Sequence, residues 1–194
     1  MVRATFEHAD FLDAALALVS DHGPQAVTVA AITERLQAPT GSFYHRFKSR
    51  DALLGALWLQ TVQDFQQGIE TALAVGDGLA AALHTPAWVR VHPNEGRLLL
   101  LYHRDDFVQG DWPEALRDQV AAETCRARAS LEKFARDTFG SAGHDEIRRA
   151  QFVLAEVPVA AVRQHLYRHE PPPPLVDELI RTTYRAVMRG HRRT

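Results

Sequence analysis

Between Thr28 and Lys48 the chain reads TVAAITERLQAPTGSFYHRFK, and this stretch gathers side chains suited to gripping phosphate. Hydroxyls at Thr28, Thr40 and Ser42, a phenol at Tyr44, an imidazole at His45 and an ammonium at Lys48 are ordinary partners of phosphate oxygens and base edges. Arg46, Lys48 and Arg50 alternate along the end of the stretch, and Arg3 adds a cation near the N-terminus. Gly41 is a poor helix former and makes more sense where a backbone must approach something closely. The competing reading is a solvated basic face, with Tyr44 a half-buried aromatic and His45 a surface imidazole.

The elements that must position these groups are short helices. Thr28 is a good N-cap, and Val29, Ile32 and Leu36 then recur at helical spacing. Gln37 and Ala38 form a turn, and Pro39 suits the first position of a second helix over residues 39–46. Phe43 and Phe47 lie four apart and face inward, so Tyr44, His45 and Arg46 face other ways. A first helix over residues 6–22 carries Phe11, Ala14, Ala15, Leu18 and Val19 on one stripe, with Asp10, Asp13 and Ser20 outside; Gly23-Pro24 ends it. Two short helices joined by a tight turn, the second small and polar at its start, suit a helix that enters a major groove.

The run GSFYHRFKSRDALL, with TVAAIT upstream, resembles the TetR-type (TetR/AcrR) transcriptional regulators. Their motif is a helix-turn-helix ending in Gly-Ser-aromatic-Tyr-His-x-Phe-Lys, here Gly41, Ser42, Phe43, Tyr44, His45, Phe47 and Lys48. The chain departs from it at Gln37, where Gly is usual, and at Pro39, where Ser is common. The resemblance implies that Thr28, Tyr44 and Lys48 contact phosphates, and that Thr40, Gly41, Ser42 and His45 lie near base edges or phosphates, with Arg46 beside them. It implies an all-α fold of about nine helices: a helix-turn-helix head over residues 1–50, then a ligand-binding and dimerisation bundle over residues 51–194. The implied partners are double-stranded operator DNA, a small-molecule effector and a second copy of the chain. The implied function is a repressor released from its operator by that effector. A helical binding protein or enzyme that no longer binds DNA is the alternative.

Beyond the head, a helix over residues 49–75 has Ser49 as N-cap and Asp51 in its first turn, and Gly76-Asp77-Gly78 ends it. Two shorter helices follow over residues 79–90 and 94–106, with Pro86 kinking or splitting the first. Long helices over residues 113–139 and 144–169 come next, the latter kinked at Pro158. Pro171–Pro174 is a stiff connector to a last helix over residues 175–190, and the basic tail HRRT frays. The last two helices, over residues 144–169 and 175–190, carry apolar residues beyond one stripe; the resemblance implies that they build a four-helix interface between two chains, and an intrachain bundle is the plainer account. The candidate linings of a ligand cavity are Trp58, Phe65, Trp88, Tyr102, His103, Phe107, Phe134 and Phe152, because such sites are mostly apolar with few polar groups. Plain core is the competing account of each.

Other chemistries find little support. His165 and His169 lie four apart, His92 and Glu95 three apart, and His103 neighbours Asp105 and Asp106, but no further ligands stand at a recognisable spacing. Arg126 and Arg128 flank the single Cys125, a plain thiol on a helix with no nearby His. No glycine-rich phosphate loop or nucleophile elbow appears, so neither a cofactor nor a metal nor catalysis is expected. A net charge of −2 over 194 residues leaves nucleic-acid binding to a local patch rather than to the whole chain. One cysteine excludes an intrachain disulfide, and no apolar run approaches a membrane span, so a cytoplasmic protein is expected.

Overall fold

The computed structural model describes residues 6–107 and 112–191, the side chain of His191 excepted. Arg3 and the end of the basic tail lie outside the described residues. Three helices form the head: α1 (His8–His22), α2 (Val29–Leu36) and α3 (Thr40–Arg46). A long helix, α4 (Arg50–Ala74), leads from it to α5 (Gly78–Val91), α6 (Pro93–Leu101) and α7 (Glu114–Phe139). Then come α8 (His144–Gln151), α9 (Val157–Tyr167) and α10 (Pro174–His191). A π-helical turn, Phe152–Glu156, makes α8 and α9 one continuous rod. The described residues therefore form nine rods and no strand, the all-α fold expected.

The caps explain where the head helices begin. The Thr28 hydroxyl accepts the Ala31 N–H at 3.0 Å, and the Ser49 hydroxyl accepts the Ala52 N–H at 3.1 Å. Each satisfies one of the donors a helix start leaves open. Pro39 is the N-cap of α3 rather than its first residue, with extended backbone. At the turn, Gln37 sits in the left-handed region at φ 52°, ψ 37°. The turn thus keeps the shape a glycine would take, at the steric cost a side chain incurs there.

Phe11, Ile32, Phe43 and Phe47 interlock in the head, with Phe11 edge-on to Phe43 at 5.8 Å. This core does not stop at residue 50. It continues through Leu53, Leu54, Leu57 and Trp58 of α4 to Leu98, Phe107 and Trp112. A second core joins Phe65, Trp88, Phe134, Leu154, Val162, Leu166 and Ile180. One helix therefore contributes its first half to the head's core and its second half to the body's.

Several local expectations need correction. Ser20 is buried, not outside: its hydroxyl donates to Asn94 Oδ1 at 2.9 Å. Pro86 leaves α5 unbroken. The expected helix over residues 94–106 ends at Leu101, because Tyr102 and His103 are extended and the His103 N–H donates to Asp106 Oδ2 at 2.8 Å. Such local side-chain bonds compete with the helix ladder. Before Pro158 the helix has a widened turn: the Val157 N–H reaches back five residues to the Phe152 carbonyl, next to the residue that lacks an N–H.

Two arginines tie distant helices together. Arg90 donates to the carbonyls of Pro172 and Pro173 at 2.8 and 3.2 Å and forks onto Asp177, fixing the proline connector against α5. Arg97 is buried and donates from Nε to the Ser20 carbonyl at 2.9 Å and from Nη1 to the Leu166 carbonyl. Both carbonyls lie in the last turns of their helices, where backbone acceptors are open and the helix dipole is negative.

Candidate nucleic-acid interface and body cleft

On α3 the two faces separate as the spacing requires. Phe43 is fully buried, while Thr40, Gly41, Tyr44 and His45 are exposed and Ser42 is half-buried. A side chain added at Gly41 would meet nothing within 4 Å, so the helix start is open to an approaching surface. Tyr44 is 59 % exposed, its ring held edge-on against Phe43 at 5.3 Å, so the phenol projects from a fixed base. The Ser42 hydroxyl donates to the Pro39 carbonyl at 2.5 Å and keeps its acceptor lone pairs free. The Thr28 hydroxyl accepts the cap bond and keeps its O–H to donate.

The cations divide differently from the sequence pattern. Lys48 is exposed and has no ion-pair partner among the described residues. It stands immediately before the capped start of α4, where dipole and ammonium together favour an anion. Arg46 instead turns back to the Phe6 carbonyl, at 3.1 and 3.3 Å, with Glu7 3.8 Å away. Arg50 donates to the Pro24 carbonyl at 2.8 Å and to the Val27 carbonyl. Both arginines hold the head together. Arg35, exposed in the last turn of α2, is a cation that the motif comparison did not single out.

In the body, a cleft of about 320 Å³ opens between α4, α5, α7 and the α8–α9 rod. Its apolar wall is Phe65, Ile69, Leu73, Leu131, Leu154 and Val159; Gln66, Glu70, Thr85, Arg128, Ser130 and Gln151 are its polar groups. Of the candidate linings, Phe65 faces this cleft and Phe134 faces an adjoining hollow beside Lys133 and Asp137. The others are elsewhere. Trp58 and Phe107 belong to the head's core, and Tyr102 packs against Phe107 and Gly23. His103 is exposed, and Phe152 is 41 % exposed on the outer side of the π turn. Trp88 is one layer behind the cleft: it meets Phe65 edge-on at 5.0 Å and donates Nε1–H to Asp64 at 2.8 Å. Sequence reasoning sought aromatics and so passed over Glu70 and Thr85. The available signal was a carboxylate one position beyond Ile69, on the apolar side of α4.

His84 lies against Phe65 and Gly68 at the α4–α5 crossing. Burial pushes its pKa below the ordinary 6.5, against the pull of the Phe65 backbone and Asp64. Among the described residues no group of three or more His, Cys, Asp or Glu could hold a metal ion, and no helix is long and apolar enough to cross a membrane. Cys125 is exposed.

Comparison with known proteins bears on both halves. Residues 11–57 match the sequence model of bacterial regulatory proteins of the tetR family. No curated protein matches the chain. Solved structures do. A tetR family transcription regulator from Shewanella sp. PV-4 is 20 % identical at a TM-score of 0.68, over 96 % of each chain. The regulator FadR from Bacillus subtilis, solved in complex with stearoyl-CoA, is 15 % identical at 0.67, over 95 % of this chain and 99 % of that one. The ketosteroid regulator KstR2 of Mycobacterium tuberculosis is 14 % identical at 0.59, over 97 % and 96 %. At these identities the likeness speaks for the fold. Residues 11–57 thus match the bacterial regulatory proteins of the tetR family, and the chain that carries them has the fold of TetR/AcrR regulators almost from end to end.

Proposed function

We propose that the protein is a homodimeric, ligand-responsive transcriptional repressor. Each head puts α3 into a major groove of a near-palindromic operator, and an effector in the body cleft shifts α4 and releases the DNA. The observation that carries the reading is α3 itself: Thr40, Gly41, Tyr44 and His45 stand open on a helix anchored by buried Phe43, with uncommitted Lys48 at its end. Phosphate contacts by Thr28, Tyr44 and Lys48, with Ser42 beside them, fix the register, and the groups at the start of α3 face base edges. Because α4 contributes to both cores, a ligand that favours one position of its second half biases the spacing of the heads, a population shift between two states. The dimer reading is supported by Leu175 and Leu179, which lie four apart on α10 and are 58 % and 56 % exposed. Phe152 adds to the apolar surface left uncovered in the single chain. Doubling the head on a two-fold site raises affinity without new contacts per head.

An electrophoretic shift assay on the neighbouring intergenic DNA tests this. Tyr44→Ala and Lys48→Ala weaken binding, and Lys48→Ala also flattens the salt dependence by about one unit of slope. Wild-type binding by both variants overturns the proposal. The second reading, a fold that binds a small molecule but no DNA, draws on the internal use of Arg46 and Arg50. It predicts no salt-dependent duplex binding at all.

A further inference from the structure

The body cleft contains polar atoms that the fold leaves unsatisfied. Thr85 is fully buried, and its hydroxyl has no hydrogen-bond partner among the described residues. Glu70 Oε1 is likewise buried and without a partner. Both residues line the cleft, and an unpaired buried acceptor is costly enough that it ordinarily finds a donor. The other charged group on the wall, Arg128, is already engaged: its Nε donates to Glu132 Oε1 at 2.8 Å on the exposed side of α7.

The charges around Glu70 are mixed, and on one side the carboxylates outnumber the cations. Glu70 also lines the hollow next to the cleft, where Asp64, Glu123 and Arg126 are its charged neighbours. Arg126 is paired with buried Glu123, and Asp64 accepts from Trp88. In that hollow three carboxylates thus meet one guanidinium, a balance that favours cations; in the further hollow that Glu70 lines, Lys133 is paired with Asp137. Inward of Glu70 the wall is aliphatic, from Ile69 and Leu73 to Leu131, Leu154 and Val159.

We infer that the effector of this cleft is a lipophilic amine: a protonated N–H group donates to Glu70 Oε1, and an apolar body lies along the aliphatic wall. A hydrogen-bonding group further along that body meets the Thr85 hydroxyl. A cleft of about 320 Å³ lies at the small end of ordinary ligand sites, which suits a single-chain or single-ring amine rather than a large conjugate. This names the ligand class for the effector site proposed above and rests on that reading.

The test is isothermal titration of the full-length protein with decylamine, decanol and decanoate, probes matched in chain length and kept below micelle formation. Decylamine binds roughly tenfold or more tightly than decanol, the worth of one charge-assisted hydrogen bond, and decanoate binds more weakly than both. Glu70→Gln keeps size and shape but removes the charge, so decylamine loses its roughly tenfold advantage over decanol. Unchanged far-ultraviolet helicity and thermal midpoint show that the variant is folded. Decanoate binding as tightly as decylamine, or decylamine binding unaffected by Glu70→Gln, overturns the inference. The shift assay, run on the same preparations, keeps the outcomes apart. Operator binding without amine binding removes only the ligand assignment. Amine binding without operator binding removes the repressor reading and leaves the cleft's preference standing.

Discussion

Replacing Arg97 by methionine examines the joint between head and body. The guanidinium is buried, and its observed partners are two helix-end carbonyls, Ser20 in α1 and Leu166 in α9. Methionine preserves most of the apolar stem, so the change isolates the donors. The two carbonyls respond differently. The Leu166 carbonyl also accepts the His169 N–H at 3.2 Å and keeps a partner, whereas Ser20 is 1 % exposed and its carbonyl is left without another partner among the described residues. Two bonds from a charged donor are worth about 1.5–3 kcal/mol each, and orphaning a buried acceptor costs about 1–3 kcal/mol. Relief of the buried charge's desolvation offsets part of this, which leaves a net loss of about 2–4 kcal/mol. Urea unfolding at a fixed protein concentration reads the loss. With a slope of roughly 2 kcal/mol/M, the midpoint falls by about 1–2 M. Ser20→Ala is the control. It removes only the bond to Asn94 and leaves the carbonyl contact, so it costs about 1 kcal/mol or less. A midpoint for Arg97→Met within about 0.3 M of wild type, on that same slope, refutes the claim that these helix ends depend on the guanidinium.

Four further outcomes follow from named contacts. Gln37→Gly relieves the left-handed turn and raises stability by about 0.5–1 kcal/mol in the same urea experiment, the glycine's greater unfolded-state freedom offsetting part of the relief. Gly55→Ala places a methyl within 2.6–2.9 Å of Trp112 and Leu116, and costs about 1–3 kcal/mol as measured by thermal unfolding. Leu175→Glu with Leu179→Glu turns the proposed dimer into a monomer in sedimentation velocity, at unchanged far-ultraviolet helicity. For His84 the folded pKa is the lower one, so above pH 6.5 it contributes no pH dependence. As pH falls below 6.5 the unfolded chain takes up a proton that the native state resists, and stability declines. His84→Gln flattens that part of the stability–pH profile.

Much of the head was legible because its determinants are local. Thr28 and Ser49 cap the helices they precede, and a spacing of four puts Phe43 and Phe47 inside, which leaves Tyr44 and His45 outside. A motif of consecutive residues needs no knowledge of distant neighbours. Helix ends were less legible: the chain leaves α6 at Leu101 because Asp106 captures the His103 N–H, a competition that apolar periodicity does not register.

What the sequence by itself determined was the succession of helices, the buried face of each, and the identity of the head, all set by spacings of three and four and by capping hydroxyls. What only the tertiary structure decided was which charges are committed. Arg46, Lys48 and Arg50 look alike in sequence, yet two of them bond to carbonyls up to 40 residues away and one is left to solvent. Ser20 reads as an outer hydroxyl, yet with Arg97 it forms the buried joint of α1 with the body. The cleft around Glu70 is likewise a product of four helices meeting. Burial and pairing depend on groups brought together by folding across long stretches of chain, and no local pattern carries that information.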